Sequence, residues 1–282
     1  AGKQIVISYG FKYGFLAAAI GMGIGQLMFN LLAKKYLLEI GEKPAKVSKE
    51  EKAKIKAETI VSPEDEKIER QRITVIGILT FFVIFFWAGF EQAGSSMTLY
   101  TDEFVDRVVG GWEIPTTFFQ SVNPILIVLL APIFVWFWSS KFGSKLSTPI
   151  KMSLGMILLG IGFLFMLMAT YQVKVDPSGE VAKKAALIWL IMTYFFHTIG
   201  ELCLSPVGLS MITKLAPVRL ASLLMGVWML SSFAANIIGG FISAYVERLG
   251  ASMIFGSIAI FVIVLGVLMI ALSKRLSKMM HG

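Results

Sequence analysis

The sequence predicts an all-α, polytopic membrane protein, and three observations lead to that fold class. Of its 282 residues, 56% are hydrophobic and only 16% are charged, with a mean hydropathy of +0.75. Several apolar runs exceed the ~18 uncharged residues that indicate a helix crossing a bilayer. Lysine and arginine gather at the ends of these runs, where they set membrane topology. The net charge of +8 therefore does not indicate a nucleic-acid partner.

The first predicted span covers residues 9–38 and is rich in glycine, which lets membrane helices pack closely. A charged segment follows at 39–72, where lysine alternates with glutamate and aromatic residues are absent, as in a solvated connector. Six further apolar runs occupy 73–282. We therefore expect a single transmembrane helix at 1–38, a cytoplasmic linker at 39–72 and a six-helix half at 73–282.

The second span, residues 73–100, places a carboxyl group at hydrocarbon depth. Trp87, Glu91 and Ser95 follow one another at a spacing of four, so they share one helix face, with Phe90 beside them. A charge at such depth costs at least ~2.5 kcal/mol, and the side chain almost always faces protein or a water-filled cavity. Because these spans carry no lysine or arginine at membrane depth to pair with it, we infer a functional role for Glu91.

The third span, residues 118–138, contains the polar sequence QSVNP near one end. Gln120 and Asn123 are helical neighbours there, and Pro124 removes a backbone donor beside them. Both amides suit either a ligand contact or an interhelical hydrogen bond, which is worth ~0.6 kcal/mol on average. The fourth span, residues 152–171, has no ionisable side chain and is expected to be a supporting helix.

The fifth span, residues 185–217, carries the strongest signal of function. His197, Glu201 and Ser205 share one face, and Glu201 lies near the middle of the run. Pro206 follows directly and weakens the helix, which a spanning helix tolerates only where neighbours satisfy the freed backbone groups. A buried polar stripe beside a weakened helix is typical of substrate sites in transporters.

The last two spans cover residues 220–246 and 253–272. The first of them places Trp228, Ser232 and Asn236 on one face, and the second is purely apolar. A tryptophan in a membrane helix more often packs than binds a ligand. Serine and asparagine at such positions are typical of contacts between helices.

The sequence does not indicate a metal or thiol site. His197 and Glu201 have a spacing that a metal can use, but without a third ligand they make a poor site. Cys203 is the one cysteine, so the chain forms no intramolecular disulfide. An enzyme would need a nucleophile–base pair or a metal cluster, and neither is evident. We therefore expect neither a metal nor a cofactor.

Basic residues orient the chain in the membrane. Lys34 and Lys35 end the first span, three lysines lie at 140–151, and the chain ends in SKRLSKMMHG. The positive-inside rule makes these regions cytoplasmic. We expect a multi-pass protein of the plasma (inner) membrane, with its linker and carboxy terminus in the cytoplasm.

A short internal echo groups the last six spans as three plus three. Glycine, glutamate and serine recur at the start of each triplet, as Gly89, Glu91 and Ser95 and as Gly200, Glu201 and Ser205. Inverted three-helix repeats with sites on their discontinuous helices are a known way to build transporters. We expect this arrangement for residues 73–282.

Three motifs occur in order along the chain: FWAGFEQAGSS at 86–96, FFQSVNP at 118–124 and GELCLSPVGLSMITKLAP at 200–217. With the tryptophan of MGVWMLSS, they resemble the proton-dependent oligopeptide transporters (peptide transporters) of the major facilitator superfamily. The likeness covers nearly the whole chain and corresponds to the sixth helix and the carboxy-terminal six-helix half of such a transporter. The likeness covers none of the family's first five helices, so either the chain is a fragment or those helices lie outside this sequence.

The resemblance implies proton-coupled symport of di- and tripeptides by alternating access, with this chain supplying half of the central cavity. In the family, the glutamate matching Glu201 receives the peptide amino terminus and pairs with a lysine of the missing half. The residue matching Glu91 exchanges salt bridges during proton coupling. Burial disfavours a charged carboxyl group and a cationic partner favours it, so a glutamate whose partner comes and goes can take up and release a proton. The expected proton-coupling residues are therefore Glu91 and Glu201.

Further site residues follow from the same resemblance. The asparagine matching Asn123 hydrogen-bonds the peptide, and Ser205 lies beside the carboxylate. Glu103 resembles an outer-gate acid whose basic partner lies in the missing half. The expected substrate contacts, besides Glu201, are Asn123, Gln120, Ser205, Trp87, Phe90 and Trp228. The expected partners are peptides, protons, the lipid bilayer and the amino-terminal half.

Two other functions stay open at this point. Relatives of the same fold carry nitrate or other non-peptide solutes, and this chain could do the same. An intramembrane enzyme or a structural membrane subunit is the more distant alternative, because a structural subunit has no need of two carboxylates at membrane depth.

Overall fold

The helices and strands come from a computed structural model that describes residues 2–36, 63–178, 180–217 and 220–281. Its α-helices are α1 Gly2–Tyr36, α2 Pro63–Phe90, α3 Ser96–Phe104, α4 Val122–Ser139, α5 Thr148–Gln172, α6 Leu187–Leu215, α7 Ala221–Leu249 and α8 Ala251–Met280. Its strands are β1 Val108–Val109, β2 Trp112–Glu113, β3 Lys174–Val175 and β4 Val181–Lys183. Short 3-10 helices occupy Glu91–Gly94, Thr116–Ser121 and Gly143–Lys145.

The chain divides into two units, Ala1–Val61 and Ser62–Gly282. In the described part of the first unit, α1 contains the apolar stretch Leu16–Leu32. Residues 39–62 of the predicted linker lie outside the described residues. The second unit holds α2 to α8 and all of the predicted site residues.

Six helical segments in the described part of the second unit are long and apolar enough to cross a membrane. They are Pro63–Phe104, Thr116–Ser139, Thr148–Gln172, Leu187–Leu215, Ala221–Tyr245 and Ala251–Met280. Each contains or overlaps one of the last six predicted spans. The prediction of an all-α, multi-pass membrane protein is therefore confirmed, with the β-strands confined to short hairpins between helices.

Helix α2 begins at Pro63, whereas the sequence placed the start of this span at residue 73 and assigned the preceding residues to the linker. Proline suits the first turn of a helix because its missing N–H has no partner there. Three acidic residues also occupy the first turn, where the helix dipole favours negative charge: Glu64, Asp65 and Glu66. The charged residues up to Arg72 thus extend the helix beyond the apolar run.

Helix α5 is the centre of the second unit, because it packs along both α6 and α8. Its contact with α6 is close at Gly155 and Gly200, where a Cβ on Gly155 would lie 2.6 Å from the carbonyl oxygen of Gly200. Helix α2 packs on α7 and α8, and α4 packs on α6. The largest fully buried side chains of the unit include Phe86, Phe163 and Phe255.

Both hairpins lie at one end of the second unit, here called the hairpin end. Strands β1 and β2 are joined through Gly110 and Gly111, whose φ angles of +60° and +82° favour glycine. The two loops are tied together because Ala185 N–H donates to the Phe104 carbonyl and Asp106 N–H donates to the Ala185 carbonyl, both at 2.8 Å. The opposite end, where α4 connects to α5, is called the basic end.

Candidate functional site

The second span is broken at Glu91. Helix α2 ends at Phe90, a 3-10 turn covers Glu91–Gly94, and α3 starts at Ser96 after Ser95 adopts φ −125° and ψ −98°. The sequence analysis placed residues 73–100 in one span and used helical spacing across it. In the structure Glu91 opens the 3-10 turn, and its side chain is exposed in the described part of the chain.

The fully buried side chain of Gln92 holds this break in place. Its Nε2 donates to the carbonyl of Ala88 at 3.0 Å and to that of Gly239 in α7 at 3.3 Å. Its Oε1 accepts from the hydroxyls of Ser96 at 2.7 Å and Ser243 at 3.2 Å. Polar groups freed by the break are thus satisfied inside the protein, as a membrane-embedded backbone requires.

Asn123 and Glu201 meet across α4 and α6. The Asn123 Nδ2 donates to Glu201 Oε2 at 2.9 Å, and it also lies 3.1 Å from the Thr198 hydroxyl. Thr198 is buried and donates to the Tyr194 carbonyl one turn earlier, so its oxygen is oriented towards the amide. Asn123 and Glu201 are half-buried, which leaves both groups reachable.

Glu91 and Glu201, the two predicted coupling acids, share this region. Their carboxylates lie near enough for their charges to repel each other. A cationic group placed beside them would be attracted by both. Among the described residues, neither acid forms an ion pair.

Aromatic rings cluster at the end of α2, directly before Glu91. The Phe90 ring contacts Trp87 edge-on at a centroid distance of 5.3 Å and stacks on Phe86 at 5.8 Å. Trp87 and Phe90 are half-buried, whereas Phe86 is fully buried. Trp87 and Phe90, which were predicted to contact the substrate, therefore form one cluster at the end of α2. This cluster packs on the buried core through Phe86.

His197, one turn before Glu201, is a buried packing residue in this structure. Its ring lies 4.7 Å from that of Phe163, and its nitrogens have no hydrogen-bond partner among the described residues. The ring fits because Gly162 lacks a side chain, since a Cβ there would come within 2.3 Å of it. The described part of the chain holds no group of three His, Cys, Asp or Glu residues placed for a metal ion.

The remaining predicted residues are more scattered. Ser205 is half-buried one turn beyond Glu201. Trp228 is only 6% exposed and packs on Gly208, where a Cβ would lie 2.3 Å from the ring. Gln120 donates to the Ala93 carbonyl at 2.8 Å, and so acts as a link to the 3-10 turn.

Glu103 lies away from this group. It is exposed near the end of α3 at the hairpin end, where it lines a cavity of about 820 Å³ together with Asp102. Its predicted role as a gate acid, like the roles of the other predicted site residues, stays a prediction.

Two residues of the site escaped the sequence analysis. Thr198 was visible as the residue one turn before Glu201 on the α6 face, but a threonine in an apolar helix is too common to stand out. Gln92 follows Glu91 directly, and its role depends on Gly239, 147 residues away, so no local pattern indicates it.

Comparison with known proteins places these features in a family. The model of the POT family matches residues 38–260. The uncharacterized transporter YclF of Bacillus subtilis is 31% identical over 97% of this chain and 63% of its own length. Peptide transporter YePEPT of Yersinia enterocolitica is 34% identical over 76% of this chain, and a di-/tripeptide transporter of Lactococcus lactis is 31% identical over the same share.

Solved structures agree with this assignment. A mutant of a peptide transporter POT in complex with alafosfalin has a TM-score of 0.77 at 30% identity, covering 97% of this chain and 63% of that one. A POT family transporter in complex with 5-aminolevulinic acid has a TM-score of 0.75 at 27% identity. The chain spans only 63%, 42% and 43% of the three relatives named above.

Proposed function

Because the chain belongs to the POT family of transporters, we propose that it supplies the carboxy-terminal half of a proton-coupled symporter for di- and tripeptides. Members of this family are transporters, so the enzyme alternative is set aside. Binding and release proceed by alternating access, in which the two halves of the protein rock about a central substrate site. The amino-terminal half supplies the rest of that site.

The contact between Asn123 and Glu201 is the observation that carries this proposal. It joins a hydrogen-bonding amide to a carboxylate on two different helices at membrane depth. In our mechanism, the peptide ammonium group binds Glu201 and the Asn123 amide bonds the peptide backbone. Phe90 and Trp87 offer apolar surface for a side chain of the peptide.

Electrostatics favour a peptide over nitrate. Glu91 and Glu201 are both acidic and lie near each other, so the site attracts the positive end of a ligand and repels an anion. A peptide carries its ammonium group at one end and its carboxylate at the other. The carboxylate then requires a cation from the amino-terminal half, in agreement with a site shared between the halves.

Replacement of Glu201 tests the proposed amine anchor. In the intact transporter, Glu201→Gln keeps the shape and removes the charge, so a charge-assisted hydrogen bond of about 1.5–3 kcal/mol is lost. We expect dipeptide binding to weaken by about tenfold to a hundredfold, measured by competition in proteoliposomes.

Glu180→Gln is the matched control because Glu180 is exposed at the hairpin end. It should leave dipeptide binding unchanged. Unchanged affinity in Glu201→Gln would remove this residue as the anchor. Competition by nitrate but not by dipeptides in the unmodified transporter would instead favour a non-peptide substrate.

A further inference from the structure

A second cavity extends from the basic end along α6 as far as Leu202, the residue after Glu201. It has a volume of about 750 Å³ and is bordered by residues of α2, α4, α5, α6 and α8. We call it the basic cavity, because its lining includes Arg72, Lys151 and Lys214 and, among the described residues, no acidic side chain.

The three cations of the basic cavity are held close together without an acid to neutralise them. Lys151 lies 4.7 Å over the ring of Trp138, and its charge is near enough to that of Lys214 for the two to repel. The Arg72 guanidinium donates to the carbonyls of Met280 and His281 at 3.2 Å. No ion pair of these three cations occurs among the described residues.

Two neutral donors of the same cavity also lack partners. The indole Nε1 of Trp138 and the hydroxyl of Ser277 are buried without a hydrogen-bond partner in the described part of the chain. Both atoms are buried within the cavity wall and present no accessible surface to the cavity itself. The three cations around one space favour a ligand with several anionic oxygens.

The wall of the cavity is apolar on the side of α4 and α6. Phe134, Val135 and Met211 line it between the cations and the interior of the membrane. Basic pockets between transmembrane helices on the cytoplasmic side are suited to anionic phospholipid headgroups. A ligand that combines a phosphate with an acyl chain satisfies both the charges and the apolar wall.

We propose that the basic cavity binds the phosphate headgroup of an anionic phospholipid from the membrane leaflet at the basic end. Lys151 and Lys214 pair with the phosphate oxygens. The acyl chain lies along the apolar side of α4. None of the expected substrate contacts lines this cavity, so lipid binding there is tested separately from peptide binding.

Lipid binding to the intact transporter tests this proposal. The purified protein is exchanged into nanodiscs of phosphatidylcholine with or without phosphatidylglycerol, and retained lipids are counted by native mass spectrometry. We expect the unmodified protein to retain phosphatidylglycerol selectively. The double variant Lys151→Gln/Lys214→Gln should weaken that retention by about tenfold or more, since each basic residue near a membrane surface contributes about one decade or slightly less.

A matched control removes two charges elsewhere. Lys174→Gln/Lys183→Gln neutralises two exposed lysines at the hairpin end and should keep the phosphatidylglycerol preference. An equal loss of phosphatidylglycerol retention in both double variants would show that only net charge matters, and it would overturn the proposal. The proposal would also be overturned if the unmodified protein showed no preference for phosphatidylglycerol. That result is expected if another segment of the transporter fills the cavity. If inorganic phosphate alone displaced all of the retained phosphatidylglycerol, the ligand would be a free anion, and the lipid assignment would be overturned.

Discussion

At the scale of single residues, the buried side chain of Gln92 governs the geometry around Glu91. It spans from the carbonyls of Ala88 and Gly239 to the hydroxyls of Ser96 and Ser243. A glutamine side chain has two donors and an acceptor oxygen, so one residue satisfies both sides of the break. The orientation of Glu91 therefore depends on its neighbour as much as on its own contacts.

Replacement of Gln92 by leucine should destabilise the protein. Leucine has a similar size but removes the hydrogen bonds of Gln92 to Ala88, Gly239, Ser96 and Ser243, of which only the last keeps a side-chain bond, to Gly239. We expect the free energy of unfolding to fall by about 2 kcal/mol, measured as denaturant or thermal unfolding in detergent.

The control for this prediction is Gln26→Leu, which changes the same residue type at an exposed position of α1. Equal stability losses in the two variants would show that the hydrogen bonds of Gln92 do not matter for stability.

Single residues also mark the limit of inference from the sequence. Glu201 and Asn123 were predicted because a charged or amide group in an apolar run is expensive and therefore conspicuous. Trp228 was not distinguished from a packing residue by its spacing, and in the structure it lies against Gly208. Contacts between distant residues decide such cases, and no local pattern contains them.

At the scale of elements, the helix pair α5 and α6 supports the site through close backbone contact. Gly155 and Gly200 face each other, and Gly200 precedes Glu201 directly. Small residues of this kind let membrane helices approach until backbone atoms touch. Close packing on α5 thus fixes the position of Glu201. Between residues 152 and 171, α5 itself has no Asp, Glu, Lys, Arg or His.

Gly155→Ala should push the two helices apart. A Cβ at this position would lie 2.6 Å from the Gly200 carbonyl oxygen, which is backbone and cannot rotate away. Overpacking of this kind costs about 1–3 kcal/mol, so we expect a lower melting temperature.

Gly77→Ala is the matched comparison in α2, because nothing lies within 4 Å of the added atom. It should be neutral or slightly stabilising, since alanine favours a helix over glycine by up to about 1 kcal/mol. Similar melting temperatures for both variants would contradict the close contact.

Elements differ in how far the sequence determines them. The apolar runs predicted the positions of the six membrane segments because hydrocarbon admits few alternatives to a helix. The start at Pro63 and the turn through Gly110 and Gly111 carry recognisable local signals that hydropathy alone does not use. The break after Glu91 is not marked by hydropathy either, and Gln92 beside it contacts Gly239 of α7, which is distant in sequence.

At the scale of the whole molecule, proton coupling requires a group that changes partner as the halves rock. Glu91 is the better candidate of the two acids, since it lies at the break between α2 and α3 and is exposed in this half. Glu201 is already bonded to Asn123. In our proposal, peptide binding depends mainly on Glu201 and proton transfer mainly on Glu91.

Glu91→Gln should separate these two roles in the intact transporter. A glutamine cannot release a proton, so uptake driven by a pH gradient should be abolished, while counterflow exchange of labelled dipeptide continues. Both are measured in the same proteoliposomes. Accumulation that survives the substitution would show that the coupling proton binds elsewhere, and a loss of counterflow as well would indicate a role in substrate binding.

The backbone hydrogen bonds that join the two loops at the hairpin end have a consequence for motion. Two backbone hydrogen bonds join Phe104 and Asp106 to Ala185, directly before α6 begins. The end of α3 and the start of α6 are thereby fastened to each other, and the 3-10 turn Glu91–Gly94 separates α3 from α2. A displacement of the end of α3 is therefore passed through these two bonds to the start of α6, the helix that carries Glu201.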